Sequence, residues 1–101
     1  MFVLDTHCDT PSQILRLRNL AKDNEYAHVD FPKLRRGGVD GVFFALYVPA
    51  SLDADPDKAF EYAGRLLEGV EKTVSENSPY AAFARTPEDA YSNKAASKVS
   101  V

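Results

Sequence analysis

Val39-Asp-Gly-Val-Phe-Phe-Ala-Leu-Tyr-Val48 reads as a strand, and from Val42 onward it is apolar or aromatic on both faces of an extended chain. A strand greasy on both sides is covered on both sides, the condition of a parallel sheet layered with helices. Pro49 ends it. The flanking segments fit the same architecture. Upstream, Phe2-Val-Leu-Asp-Thr-His7-Cys-Asp9-Thr-Pro11 reads as a first strand running straight into a His-x-Asp pair. With a period of two, Val3, Asp5, His7 and Asp9 share one face, and Phe2, Leu4, Thr6 and Cys8 the other.

Between the two strands, Thr10 can cap a helix, Pro11 suits its first position, and Gln13 completes a capping-box pattern. Ile14, Leu17 and Ala21 then recur at helical spacing. Residues 21–27 are polar and predict a loop. Asp30 can cap a helical turn over Phe31 to Arg36, stopped by Gly37-Gly38. Downstream, Asp55-Pro56 opens a helix to about Glu76, with Phe60, Ala63, Leu67, Val70 and Val74 as its apolar stripe. Gly64 and Gly69 weaken it by roughly 1 kcal/mol each, so tertiary packing must hold it. Tyr80 to Ala84 reads as a short extended piece. Thr86-Pro-Glu-Asp89 opens a helix to about Ala96, and Lys98-Val-Ser-Val101 begins another strand. Strands alternating with helices predict an α/β fold with a parallel sheet and right-handed crossovers.

With 101 residues the chain suffices for one small domain. Its net charge of −3, from 12 basic and 15 acidic residues, is interspersed and forms no nucleic-acid footprint or basic membrane-binding face. The longest apolar run, Gly41 to Pro49, is too short to span a bilayer. No leader-like segment precedes the first strand, and the single cysteine excludes an internal disulfide. The expectation is a soluble cytoplasmic protein. No Gly-rich phosphate loop follows either strand.

The chemistry concentrates at His7 and Asp9. An imidazole and a carboxylate are both ligands for zinc and similar divalent ions. At i and i+2 on a strand they point the same way, and they sit at its C-terminal end, where parallel α/β folds place their active sites. A bare His-x-Asp is more often a surface histidine beside a helix-initiating aspartate; the strand context moves the reading toward a metal pair. Asp5, two residues earlier, is a candidate for orienting a ligand. Cys8 should be a buried small hydrophobe. His28 is expected to serve local capping or packing, Asp53, Asp55 and Asp57 to mark a helix N-terminus, and Tyr47 to pack. With two histidines, no Ser-His-Asp or Cys-His nucleophile arrangement can be assembled. Two protein ligands are also fewer than the three of a catalytic zinc site.

Asp5-Thr-His7-Cys-Asp9-Thr-Pro11 resembles the opening Asp-Gly-His-x-Asp-x-Pro segment of the membrane dipeptidase (renal dipeptidase) family of metallopeptidases. His28-Val-Asp-Phe-Pro-Lys-Leu-Arg-Arg-Gly-Gly-Val39, with the strand to Pro49, is similar to a second run of that family. Arg85-Thr-Pro-Glu-Asp89 and Lys98 to Val101 look like the segment leading into its third strand. The resemblance implies the N-terminal part of a (β/α)8 TIM-type barrel with parallel strands, residues 1–101 forming an incomplete domain, since a full barrel needs about 250 residues. It implies a centre of two zinc ions that hydrolyses dipeptides, with His7 and Asp9 as ligands of one ion. The bridging glutamate and two further histidines of the family lie beyond Val101, so the isolated chain should be inactive. Thr6 and Asp40 stand where the family commonly has glycine.

Two other readings remain. Wider amidohydrolase-type barrels usually carry His-x-His at the end of the first strand, and Asp9 argues against them. A non-catalytic fragment with open strand edges and an uncovered apolar face would associate with itself, which makes a homo-oligomer the expected state.

Overall fold

The computed structural model describes residues 1–101. Four strands form one all-parallel sheet: β1 (Leu4–Cys8), β2 (Gly41–Phe44), β3 (Ala81–Ala82) and β4 (Val99–Ser100). Helices α1 (Pro11–Ile14) and α2 (Phe31–Arg36) lie between β1 and β2 in the chain, α3 (Pro56–Glu76) between β2 and β3, and α4 (Pro87–Ala95) between β3 and β4. The α/β class and the parallel sheet are those the sequence predicts. The order across the sheet is β1-β2-β4-β3. The extended piece expected at Tyr80–Ala84 is therefore real, but it flanks β4 on the outside while β4 takes the place beside β2.

One face of the sheet carries the core. Cys8, Val42 and Val99 are buried there against Leu34 of α2 and Val70 and Val74 of α3. The other face stays open: Leu4 is 46% and Phe43 62% exposed. The two-sided cover that the greasy second strand demands is thus only half supplied by residues 1–101. That strand is also shorter than its apolar run, since regular pairing ends at Phe44 with one further bond, from Ala45 N–H to the Cys8 carbonyl at 2.8 Å.

Gly41 permits the tight β1–β2 approach. A Cβ there would meet Leu4 Cδ1 at 3.1 Å and Phe2 Cε1 at 3.2 Å. Gly69 does the same for α1 on α3, where a Cβ would lie 3.2 Å from Ile14 Cγ2. The helical cost of Gly69 is thus matched to a contact.

Three elements depart from the sequence pattern. The first helix stops at Ile14, and Leu17 sits at φ 61 with its side chain in solvent. Leu20 goes into the core instead, and its carbonyl accepts the Phe31 N–H at 2.8 Å, so tertiary closure of the 15–30 loop overrides helical periodicity. Thr10 makes no side-chain cap; its hydroxyl accepts from Cys8 Sγ at 3.2 Å. On α3 the buried face is Leu66, Val70 and Val74, whereas Phe60 is 84% exposed and Leu67 also faces water. Val70 and Val74 of the predicted stripe are buried, and Leu66 takes the place expected of Leu67. The capping box of α4 is present as read, Thr86 and Asp89 exchanging side chain-to-backbone bonds at 3.0 and 3.1 Å.

Three carboxylates fasten these layers. Asp30 is fully buried, caps α2 through the Lys33 N–H at 2.8 Å, and accepts the Asn24 N–H at 2.9 Å and the Lys33 ammonium. Burial pushes its carboxyl up, but Lys33 and the two backbone donors together outweigh that and hold it below the ordinary 3.8. Asp23, paired first with Arg36 and then with Lys33, is drawn down to about 2. Asp40 accepts the Val3 N–H and the Lys94 ammonium, both at 2.8 Å, while its carbonyl accepts the Ser100 N–H, so one residue ties β1, β4 and α4.

A depressed carboxyl stabilises the fold above its unfolded pKa and loses that contribution as pH falls through the folded value. Asp30→Asn should therefore lower stability at pH 7 by about 2 kcal/mol and reduce the loss of Tm below about pH 4. Thermal melts from pH 7 to pH 3 check this, and an acid slope as steep as that of the unmodified protein would contradict it.

Candidate metal centre

Parallel pairing brings the C-terminal ends of β1, β2 and β4 to one edge, and His7 and Asp9 stand on it. His7 belongs to the last turn of the pleat in β1 and Asp9 follows the strand directly. Their side chains meet, His7 Nε2 lying 3.1 Å from Asp9 Oδ1, with 67% and 57% of each side chain exposed. The structure thus brings together the pair that the sequence singles out.

The strand does not deliver them by simple alternation. Asp5 pairs with Val42 and Cys8 with Phe44, so β1 takes three steps where β2 takes two. This irregularity is a bulge, which re-aims the side chains beside it. Asp5 therefore falls on the face of Val42 and Cys8 rather than on that of His7. Its carboxylate reaches around to accept the His7 backbone N–H at 3.0 Å, the donor that the bulge removes from the ladder. Asp5 meets the backbone that carries His7 and makes no bond to the imidazole. Cys8 is buried as expected, and Asp55 caps α3 through the Lys58 N–H at 3.1 Å. Tyr47 is left exposed, not packed. His28 neither caps nor packs; it is exposed beside a cleft that Asp9 also lines.

The donor set fits a divalent cation. Around tetrahedral zinc, ligand atoms at 2.0–2.2 Å stand about 3.3–3.6 Å apart, a few tenths of an ångström more than the His7–Asp9 separation of 3.1 Å. No third His, Cys, Asp or Glu joins them. His7 and Asp9 are two donors, where a catalytic zinc site takes three from the protein.

The family described as Membrane dipeptidase (Peptidase family M19) matches residues 1–101, the whole of the chain. The chain belongs to the membrane dipeptidase family. A metallo peptidase from Rhodobacter sphaeroides, solved with a phosphinate mimic of the dipeptide L-Ala-D-Ala, has a similar fold, with a TM-score of 0.84 and 23% identity over 99% of this chain. This chain spans 36% of the length of that one. No curated protein matches it. No helix is long and apolar enough to cross a membrane.

Against the membrane dipeptidase pattern, the Asp40 departure has a structural reason in the β1–β4–α4 node it forms. Nothing in the structure explains Thr6. The bulge and the role of Asp5 in it were not legible in the sequence, where strict alternation is the simplest pattern.

In the full-length protein, Asp5→Ala should speed hydrogen exchange of the His7 amide by at least about tenfold, the loss of one bond of about 1.4 kcal/mol. Asp5→Asn, whose carbonyl oxygen can still accept, should stay near the unmodified rate. Equal protection in Asp5→Ala would contradict the bulge bond.

Proposed function

We propose that the complete protein is a zinc-dependent dipeptidase and that residues 1–101 are the N-terminal portion of its catalytic barrel. The observation that carries this is the membrane dipeptidase match along the whole chain, with a His–Asp donor pair at the C-terminal edge of the sheet. His7 Nε2 and Asp9 Oδ1 hold one metal of a two-zinc centre, and ligands beyond Val101 complete it. When bound, the zinc pair supplies a water acidified toward neutrality and polarises the peptide carbonyl. The chain's own part is to fix the two donors: Asp5 locks the bulge, and the bulge aims His7 alongside Asp9. A dipeptide is the substrate; the chemistry forms no covalent enzyme intermediate and calls on no nucleic acid or membrane. Residues 1–101 alone are inactive, for want of the remaining ligands.

The single, buried cysteine supports a reducing compartment, the cytoplasm. The open sheet face at Leu4 and Phe43 supports cover by further chain, or by a second copy in a homo-oligomer.

His7→Ala in the full-length protein should halve the zinc content per protomer and lower alanyl-alanine hydrolysis by at least about 100-fold, the upper end of what losing a group that only orients a ligand costs. Metal analysis of the purified protein beside a ninhydrin assay reads both. Full metal content with full activity would remove His7 from the site, and the two-zinc dipeptidase reading with it.

A further inference from the structure

Asp9 lines a cleft of about 530 Å³, and Tyr26, Ala27, His28 and Val29 line it too. Those four belong to the loop between α1 and α2, whose base is firmly bound. Leu20 and Phe31 are buried, and the Leu20 carbonyl accepts the Phe31 N–H at 2.8 Å, which closes the loop at its root. One step further out, Asp30 accepts the Asn24 N–H at 2.9 Å. The Lys33 ammonium directs its three donors to the Asn24 carbonyl at 2.6 Å, to Asp23 at 2.8 Å and to Asp30. The Asn24 side-chain amide donates to the Lys22 and Asn19 carbonyls at 2.7 and 3.1 Å. Residues 24 and 30 are thus fixed side by side.

Beyond that clamp the bonding stops. No backbone N–H or carbonyl of residues 25–29 takes part in a hydrogen bond of ordinary geometry within the protein. Neither Glu25 nor His28 has an ion-pair partner. Tyr26 is 87% exposed, so its ring gains nothing from where it stands. A segment with an unbonded backbone and little buried surface opens and moves at low cost. This one hangs from two fixed points at the rim of the edge that carries His7 and Asp9.

We propose that residues 25–29 are a flap, hinged at Asn24 and Asp30, that closes across the cleft over a bound dipeptide with the Tyr26 ring as its cover. The inference rests on the dipeptidase reading above and adds a moving part to it. In the open form the ring stands in water. Closure buries it against an occupant, so the dipeptide itself supplies the differential contact that favours the closed state. Closure also removes water from the edge, where a lower local dielectric strengthens the pull of charged groups on what they hold. The clamp keeps the entropic cost small, since only residues 25–29 have to be ordered.

Hydrogen exchange of the full-length, zinc-loaded enzyme tests this. It is read without and with a phosphinate dipeptide mimic at a concentration that abolishes alanyl-alanine hydrolysis. In the free enzyme, residues 25–29 should exchange like an unstructured peptide, while the Asn24, Phe31 and Lys33 amides are protected. With the mimic, exchange across 25–29 should slow by at least about tenfold. Tyr26→Ala should abolish that slowing along the whole segment, which a fixed wall would not show, and lower kcat/KM by about tenfold. Tyr26→Phe, which keeps the ring, should recover most of both. Zinc content and Tm should not change, because the side chain lies in solvent. Unchanged exchange at saturation, or a Tyr26→Ala enzyme that keeps full protection or full kcat/KM, would overturn the flap and leave the dipeptidase reading intact. An enzyme that cleaves no dipeptide and does not bind the mimic overturns both.

Discussion

Where β1 runs beside β2, the ladder takes three steps of one strand for two of the other, and the Asp5 carboxylate accepts the His7 N–H that the irregularity leaves out of the ladder. Everything chemical depends on that departure. Upstream of it, β1 is bound in tight register by Leu4 opposite Gly41, with no Cβ on Gly41 to push the strands apart. Downstream, Cys8 returns to the core beside Phe44, and His7 and Asp9 are left at the edge with their donor atoms 3.1 Å apart. A rigid scaffold thus ends in a short irregular segment that carries the His7–Asp9 pair, the division of labour expected of a parallel α/β sheet.

The polar anchors divide along the same line. Asp40 and Lys94 close the N-terminal end of the sheet, and Asp30 with Lys33 and Asn24 pins the 19–29 loop beside the cleft at the other end. The first set serves stability. The second holds in place a loop that bears the exposed Tyr26 and His28 and is anchored in the core by Leu20.

Local chemistry was the legible part of the sequence. The caps at Asp30, Asp55 and Thr86 form because a short polar side chain can satisfy the next turn's N–H groups without help from the rest of the fold. The parallel sheet followed from a strand apolar on both faces, and His7 and Asp9 followed from their spacing. What long-range packing decides was not legible: the early stop of α1 at Ile14 in favour of burying Leu20, the rotation of the buried face of α3 to Leu66, and the placing of β3 outside β4. The bulge belongs to this group, since only the register against β2 reveals it.

The central claim is that the bulged end of β1 holds a metal through His7 and Asp9. Anomalous diffraction at the zinc edge from crystals of the full-length protein tests it most directly. The account predicts a zinc peak at about 2.0–2.2 Å from both His7 Nε2 and Asp9 Oδ1. A zinc-loaded, active crystal with no anomalous density within reach of those two atoms would contradict it.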